Sequence, residues 1–128
     1  MKNFILLILI LVAQNIHAQK HTFRNNTSEC KNINTGVTQK SEGTDAITIE
    51  NLGGGKYKLI DSNGSMVMKY SHSEDFPEGT MYIYDIIGKQ YSKLKSGKKL
   101  SDLAKGIPGK FAIDSDDVAL VCIYRLNN

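Results

Sequence analysis

The sequence predicts an all-β chain, a small antiparallel β-sandwich or barrel of about six to eight short strands with at most one helical turn. Three observations lead there. Apolar and polar residues alternate along several short segments, the period-two pattern of half-buried strands. Turns rich in Gly, Asn and Asp separate those segments at close spacing. Only the stretch from Leu100 to Gly106 carries a helix signature, so strands must build the core.

The first element is not part of that fold. Met1-Lys2-Asn3 bears one positive charge and leads into the unbroken apolar run from Phe4 to Ala13, which has the length and flanks of a signal-peptide core. A transmembrane helix takes about 20 apolar residues, and this run ends sooner, at Gln14-Asn15. No transmembrane segment is expected. Ile16-His17-Ala18 offers a cleavage site after Ala18, with no cysteine at the junction to carry a lipid. The expected destination is therefore secreted or periplasmic.

Residues 19–44 are polar and aperiodic, and predict an extended N-terminal arm with one short strand around Cys30. Asn25-Asn26-Thr27-Ser28 holds two overlapping glycosylation acceptors, relevant only where export follows a eukaryotic route. A β domain is expected over residues 45–128. Ile47 and Ile49 alternate with Thr48 and Glu50; Gly53-Gly54-Gly55 can supply the positive φ of a reversal; Tyr57 and Leu59 share a face of the next strand. Asp61-Ser62-Asn63-Gly64 is a second turn and Met66 to Tyr70 a third strand, completing a meander. Ser71 to Gly79, with Pro77, reads as a polar loop before a fourth strand from Thr80 to Ile87 and a fifth near Gln90 to Leu94.

In the helical turn Ser101 is the expected N-cap, Asp102 complements the positive end and Gly106 stops it. Lys110 to Asp114 and Val118 to Leu126 are the closing strands. The last carries apolar residues on both faces, Cys122 among them, which predicts a central strand covered on both sides.

Composition narrows the function. Removing 18 of the 128 residues leaves 110, enough for a single modest core. Losing Lys2 with the leader leaves 15 basic against 13 acidic side chains, a balance that gives no reason to expect nucleic acid as partner. Charge is uneven, however: Lys89, Lys93, Lys95, Lys98, Lys99, Lys105 and Lys110 face Asp102 alone between residues 88 and 110. That run is a lysine-solubilised loop and edge strand or a contact for an anionic surface. It contains no arginine, so bidentate recognition is missing.

Cys30 and Cys122, once exported, are expected to form an intramolecular disulfide. With no Cys-x-x-Cys and few histidines, metal or redox chemistry is not indicated. His72 lies in Ser71-His72-Ser73-Glu74-Asp75, which has the residue types of a hydrolytic site, but adjacent strand or loop side chains point apart and catalysis needs convergence. Asp114, Asp116 and Asp117, with Asp61 and Asn63, could offer oxygens to calcium, yet turn formation accounts for them. No metal or cofactor is expected. Tyr82 and Tyr84 share a face, with Tyr57, Tyr70, Tyr91 or Tyr124 as potential neighbours, and form either core or an aromatic platform for a sugar or peptide.

Ile83-Tyr84-Asp85-Ile86-Ile87-Gly88-Lys89, with Leu103, Gly106, Gly109-Lys110-Phe111 and the closing strand, resembles in strand and turn grammar the C-terminal β-sandwich sorting domains of exported Bacteroidetes proteins. The Pro-Asn-Pro opening of those domains is absent, and no functional residue carries across.

The expected function is that of a small secreted non-enzymatic binding module that recognises a protein or cell-surface ligand through loops 71–79 and 95–109, in the manner of an inhibitor or immunity-type protein. A small hydrolase using His72 and a structural envelope-associated subunit are the alternatives.

Overall fold

The computed structural model describes residues 19–43, 45–89, 92–115 and 119–128, without the side chains of 41–43. The expected signal peptide lies outside the described residues, as do Tyr91, Asp116, Asp117 and Val118.

Ten antiparallel strands form one curled half-barrel sheet: β1 (Lys20–Phe23), β2 (Asn26–Asn32), β3 (Thr38–Gly43), β4 (Ile47–Gly53), β5 (Lys56–Asp61), β6 (Gly64–Phe76), β7 (Gly79–Ile86), β8 (Ser92–Ser96), β9 (Gly109–Ser115) and β10 (Leu120–Leu126). One short helix, α1 (Leu100–Ala104), is described. The all-β expectation holds, but ten strands replace the expected six to eight, and they lie in a single curled sheet.

From β4 to β10 each strand pairs with the next in sequence, while β1 pairs with β4 at one flank and β2 with β10 at the other. Only Arg24 and Asn25 separate β1 from β2. A link that short spans at most about 11 Å, so the two flanks must come together there, and the sheet has to curl. The three strands within residues 19–44 correct the expected arm with one strand. Their polarity hid them, because β2 and β3 present no alternating apolar face.

Alternation is realised where the sequence carries it. Ile47 and Ile49, Leu59, Met68, Tyr84 and Ile86, Leu94, Phe111 and Leu126 point into the concave face and are buried. Cross-strand partners such as Ile49 with Leu59, Met68 with Ile86 and Tyr84 with Leu94 stack the core in register. Burying each such side chain is worth about 1.5–3 kcal/mol. The glycine turn behaves as anticipated, with φ of 83°, 62° and 79° at Gly53, Gly54 and Gly55.

Helix α1 packs on β4 and β1, burying Leu100, Leu103 and Ala104. Its N-cap is Lys99, with no side-chain cap bond, and not Ser101. The stop at Gly106 is as expected: φ is 98°, its N–H reaches Leu103 O at 3.0 Å, and a Cβ there would lie 3.0 Å from His21 Nδ1.

Two further expectations are corrected. The longest strand is β6, at 13 residues, and it runs straight through the stretch read as a loop. Residues 72–76 pair with 79–83 of β7, but they face solvent on both sides, so no alternation marks them as a strand. The outer part of this ribbon, residues 74–76 with 79–81, projects beyond the part of β7 that pairs with β8. Strand β10 does lie between β9 and β2, but its two faces are unequally covered: Cys122 and Leu126 are buried on the concave face, while Val121 and Ile123 on the convex face are only half-buried.

Cys30 and Cys122 stand directly opposite each other across β2 and β10 and are joined by a disulfide spanning 92 positions of sequence. The bridge locks an early strand to the last one.

Candidate functional site

Four tyrosines converge at one end of the concave face. Tyr57 is the second residue of β5, Tyr70 precedes the bulge in β6, and Tyr82 and Tyr84 alternate on β7, so period two and the β5–β6–β7 register place all four on the same face. With Gly55, Lys99 and Ser101 they line a pocket of about 260 Å³. Tyr84 is its floor, 2% exposed. Tyr57 and Tyr70 meet that ring edge-to-face at centroid distances of 5.7 and 5.5 Å, the geometry favoured by the ring quadrupoles. Tyr70 forms an outer wall and is 42% exposed. Both sequence-predicted aromatic residues are thus present, one as core and one as a half-buried wall. Tyr124 stacks instead on Phe111 at 5.1 Å.

Lys99 reaches this pocket because Tyr84 holds its neighbour. The Tyr84 hydroxyl accepts the Leu100 N–H at 3.0 Å, pinning the start of α1 to β7. Lys99 Nζ then sits 5.9 Å from the Tyr82 ring centroid, within cation–π reach. Burial is the main cause that pushes the Tyr84 phenol up to about 12, against the lowering effect of the Leu100 hydrogen bond. Tyr84 is therefore a neutral post and not an acid or base at ordinary pH.

The lysine-rich run does not form one patch. Lys93 pairs with Asp85 on the neighbouring strand, and Lys95 lies 3.9 Å from Asp114. Lys89 follows β7 at the opposite end of the sheet from Lys98, Lys99 and Lys105, which surround α1. What the sequence shows as a cluster is a set of cross-strand charge pairs and separate exposed cations, of which Lys99 meets the tyrosines.

His72 gives a different picture from the one its neighbours suggest. The register shifts between Tyr70 and His72, so Ser71 is the extra residue of a β-bulge, and a bulge re-aims side chains that would otherwise point apart. Ser71 Oγ lies 2.9 Å from His72 Nδ1 and His72 Nε2 lies 3.2 Å from Glu74 Oε1. The order of residue types is that of a serine hydrolase triad, with the ring nitrogens exchanged, since a triad serine bonds Nε2 and its acid Nδ1. All three residues are exposed on the ribbon, however, and none lines a described pocket.

Sequence reasoning missed Asn26. It is 5% exposed, and its Nδ2 donates to Phe23 O at 2.8 Å and Asp45 O at 2.9 Å while its Oδ1 accepts the Asn127 N–H at 3.4 Å. This amide fastens the β1–β2 corner to β10, which leaves Asn25 as the exposed member of the acceptor pair. Nothing in a run of four polar residues announces such a knot.

Among the described residues no group of His, Cys, Asp or Glu is arranged to hold a metal ion. No helix among them is long and apolar enough to cross a membrane. Comparison with protein families, with curated proteins and with solved structures finds no match for this chain.

Proposed function

We propose that this chain is a secreted, non-enzymatic binding module and that the tyrosine pocket is the centre of its recognition surface. The observation that carries this reading is the convergence of Tyr57, Tyr70, Tyr82 and Lys99 on one pocket. Tyrosine supplies a large contact area at low entropic cost together with a polar tip. The pocket also lies between the two segments from which contact is expected, the ribbon following Tyr70 and the chain entering α1.

The test is affinity capture by the purified, oxidised protein from the medium or periplasm of its source, comparing the wild type with a Tyr70→Ala/Lys99→Gln double variant, both positions being exposed. A partner kept by the wild type and lost by the variant supports the reading; one kept equally by both places recognition elsewhere, and no partner at all removes it.

The Ser71–His72–Glu74 contact motivates a second reading, a small hydrolase in which Ser71 Oγ–H donates to His72 Nδ1 and His72 Nε2–H donates to Glu74. It requires an esterase activity that disappears in both Ser71→Ala and His72→Ala. Activity surviving either change would end it.

A further inference from the structure

We infer that the tyrosine pocket takes a single six-membered sugar ring bearing a carboxylate, a uronic acid residue, with the ring on the tyrosines and the carboxylate at Lys99. This rests on the reading of the pocket as a recognition site and names its ligand class.

Size comes first. At about 260 Å³ the pocket falls just below the roughly 300–1,000 Å³ of drug-sized ligand sites, so it suits one ring and not an extended molecule. The chemistry of the walls follows. Tyr57, Tyr70 and Tyr82 present ring surface with a hydroxyl at one edge, and Ser101 adds another hydroxyl. A pyranose is built to the same plan, with an apolar C–H face and a rim of hydroxyls. Tyr84 offers only its ring, because its hydroxyl is engaged by the Leu100 N–H.

Charge makes the last selection. Among the described residues Lys99 is the one charged residue lining the pocket, and no carboxylate lines it. Lys99 takes part in no ion pair among the described residues, and its ammonium lies 5.9 Å from the Tyr82 ring centroid. A cationic ligand would meet a like charge at that ring. An anionic group on the rim of a stacked sugar meets an available ammonium. Two features that sequence shows separately, an aromatic face on β7 and a lysine-rich segment after β8, are thereby joined at one place.

The experiment is titration of the oxidised full chain, by calorimetry or by NMR shifts, with D-galacturonate, D-galactose, acetate, benzoate and trigalacturonate. The expected result is that galacturonate binds about five-fold more tightly than galactose, that Lys99→Gln abolishes this preference, and that Tyr70→Ala weakens both sugars about ten-fold. Tighter binding of trigalacturonate assigns the ring to a polymer, and parity assigns it to a free or terminal sugar. Acetate binding as well as galacturonate, without regard to Tyr70, reduces the site to an exposed lysine and overturns the inference. Benzoate binding better than either sugar overturns it in favour of an aromatic anion. If no sugar binds while the captured partner is still lost in the Tyr70→Ala/Lys99→Gln variant, the ligand class falls and the recognition surface stands.

Discussion

The corner around Asn26 and the pocket around Tyr84 both set polar side chains against the core, at opposite stages of commitment. At the corner the Asn26 amide is shared among Phe23, Asp45 and Asn127. Asn128 ties His21 at 2.6 Å and Gly106 O at 3.2 Å. Among the described residues no buried side-chain polar atom lacks a partner. At the pocket, by contrast, Tyr84 spends its hydroxyl on structure, while Tyr70 and Lys99 remain exposed. A polar group satisfied inside the protein stabilises it; one left facing solvent at a concave apolar site is available to a ligand.

The largest test of this contrast is the disulfide that stands on the same strand pair as the corner. Cys30→Ala/Cys122→Ala removes the restriction on a loop of 92 positions, for which chain entropy gives about 4–5 kcal/mol. Urea unfolding should show a loss of that order, and a loss near zero would mean that the seam holds without its bridge. Next is Asn26→Ala, expected to cost about 2–3 kcal/mol because buried carbonyls lose their donor, whereas the exposed neighbour change Asn25→Ala should cost well under 1 kcal/mol. Equal effects would erase the distinction between knot and surface.

Tyr84→Phe comes third, at about 1–2 kcal/mol, since the Leu100 N–H is left without its acceptor. The same residue governs alkaline behaviour. Its phenol is held at about 12 when folded against an ordinary value of 10, so between those values the unfolded chain gives up a proton that the folded chain keeps. Stability is therefore full below pH 10 and falls as pH rises toward 12. Chemical denaturation across that range should show the decline, shallower in Tyr84→Phe, with burial of Tyr124 contributing in the same direction. The smallest effect belongs to the ribbon: Glu74→Ala breaks an exposed contact with His72 and should change stability by less than about 0.5 kcal/mol.

The sequence made legible what depends on side-chain alternation. Ile47, Ile49, Tyr57, Leu59, Tyr82 and Tyr84 each lie on the face that period two assigns them, and the pairing of Cys30 with Cys122 follows from having two cysteines. What it hid has a common cause. Strands β2, β3 and the outer half of β6 have little apolar content, and their existence depends on backbone pairing with partners elsewhere in the chain. The approach of Lys99 to Tyr82 was hidden for the same reason, since it needs the Tyr84–Leu100 hydrogen bond to bring α1 back across the sheet. The bulge at Ser71 has no residue signature at all, yet it brings Ser71 beside His72, which already shares a strand face with Glu74.

The placement of β2 beside β10 also sets a timetable. Strand β2 acquires its first partner, β3, locally, but its second is made only when residues 120–126 exist, and that pairing closes a very long loop before any contact rewards it. Native sheet completion is thus deferred until nearly the whole described chain has been synthesised. Refolding of the Cys30→Ala/Cys122→Ala variant, in which no bridge has already closed that loop, should be dominated by a slow phase in the millisecond-to-second range that reports this final strand pairing, and the oxidised chain should refold faster.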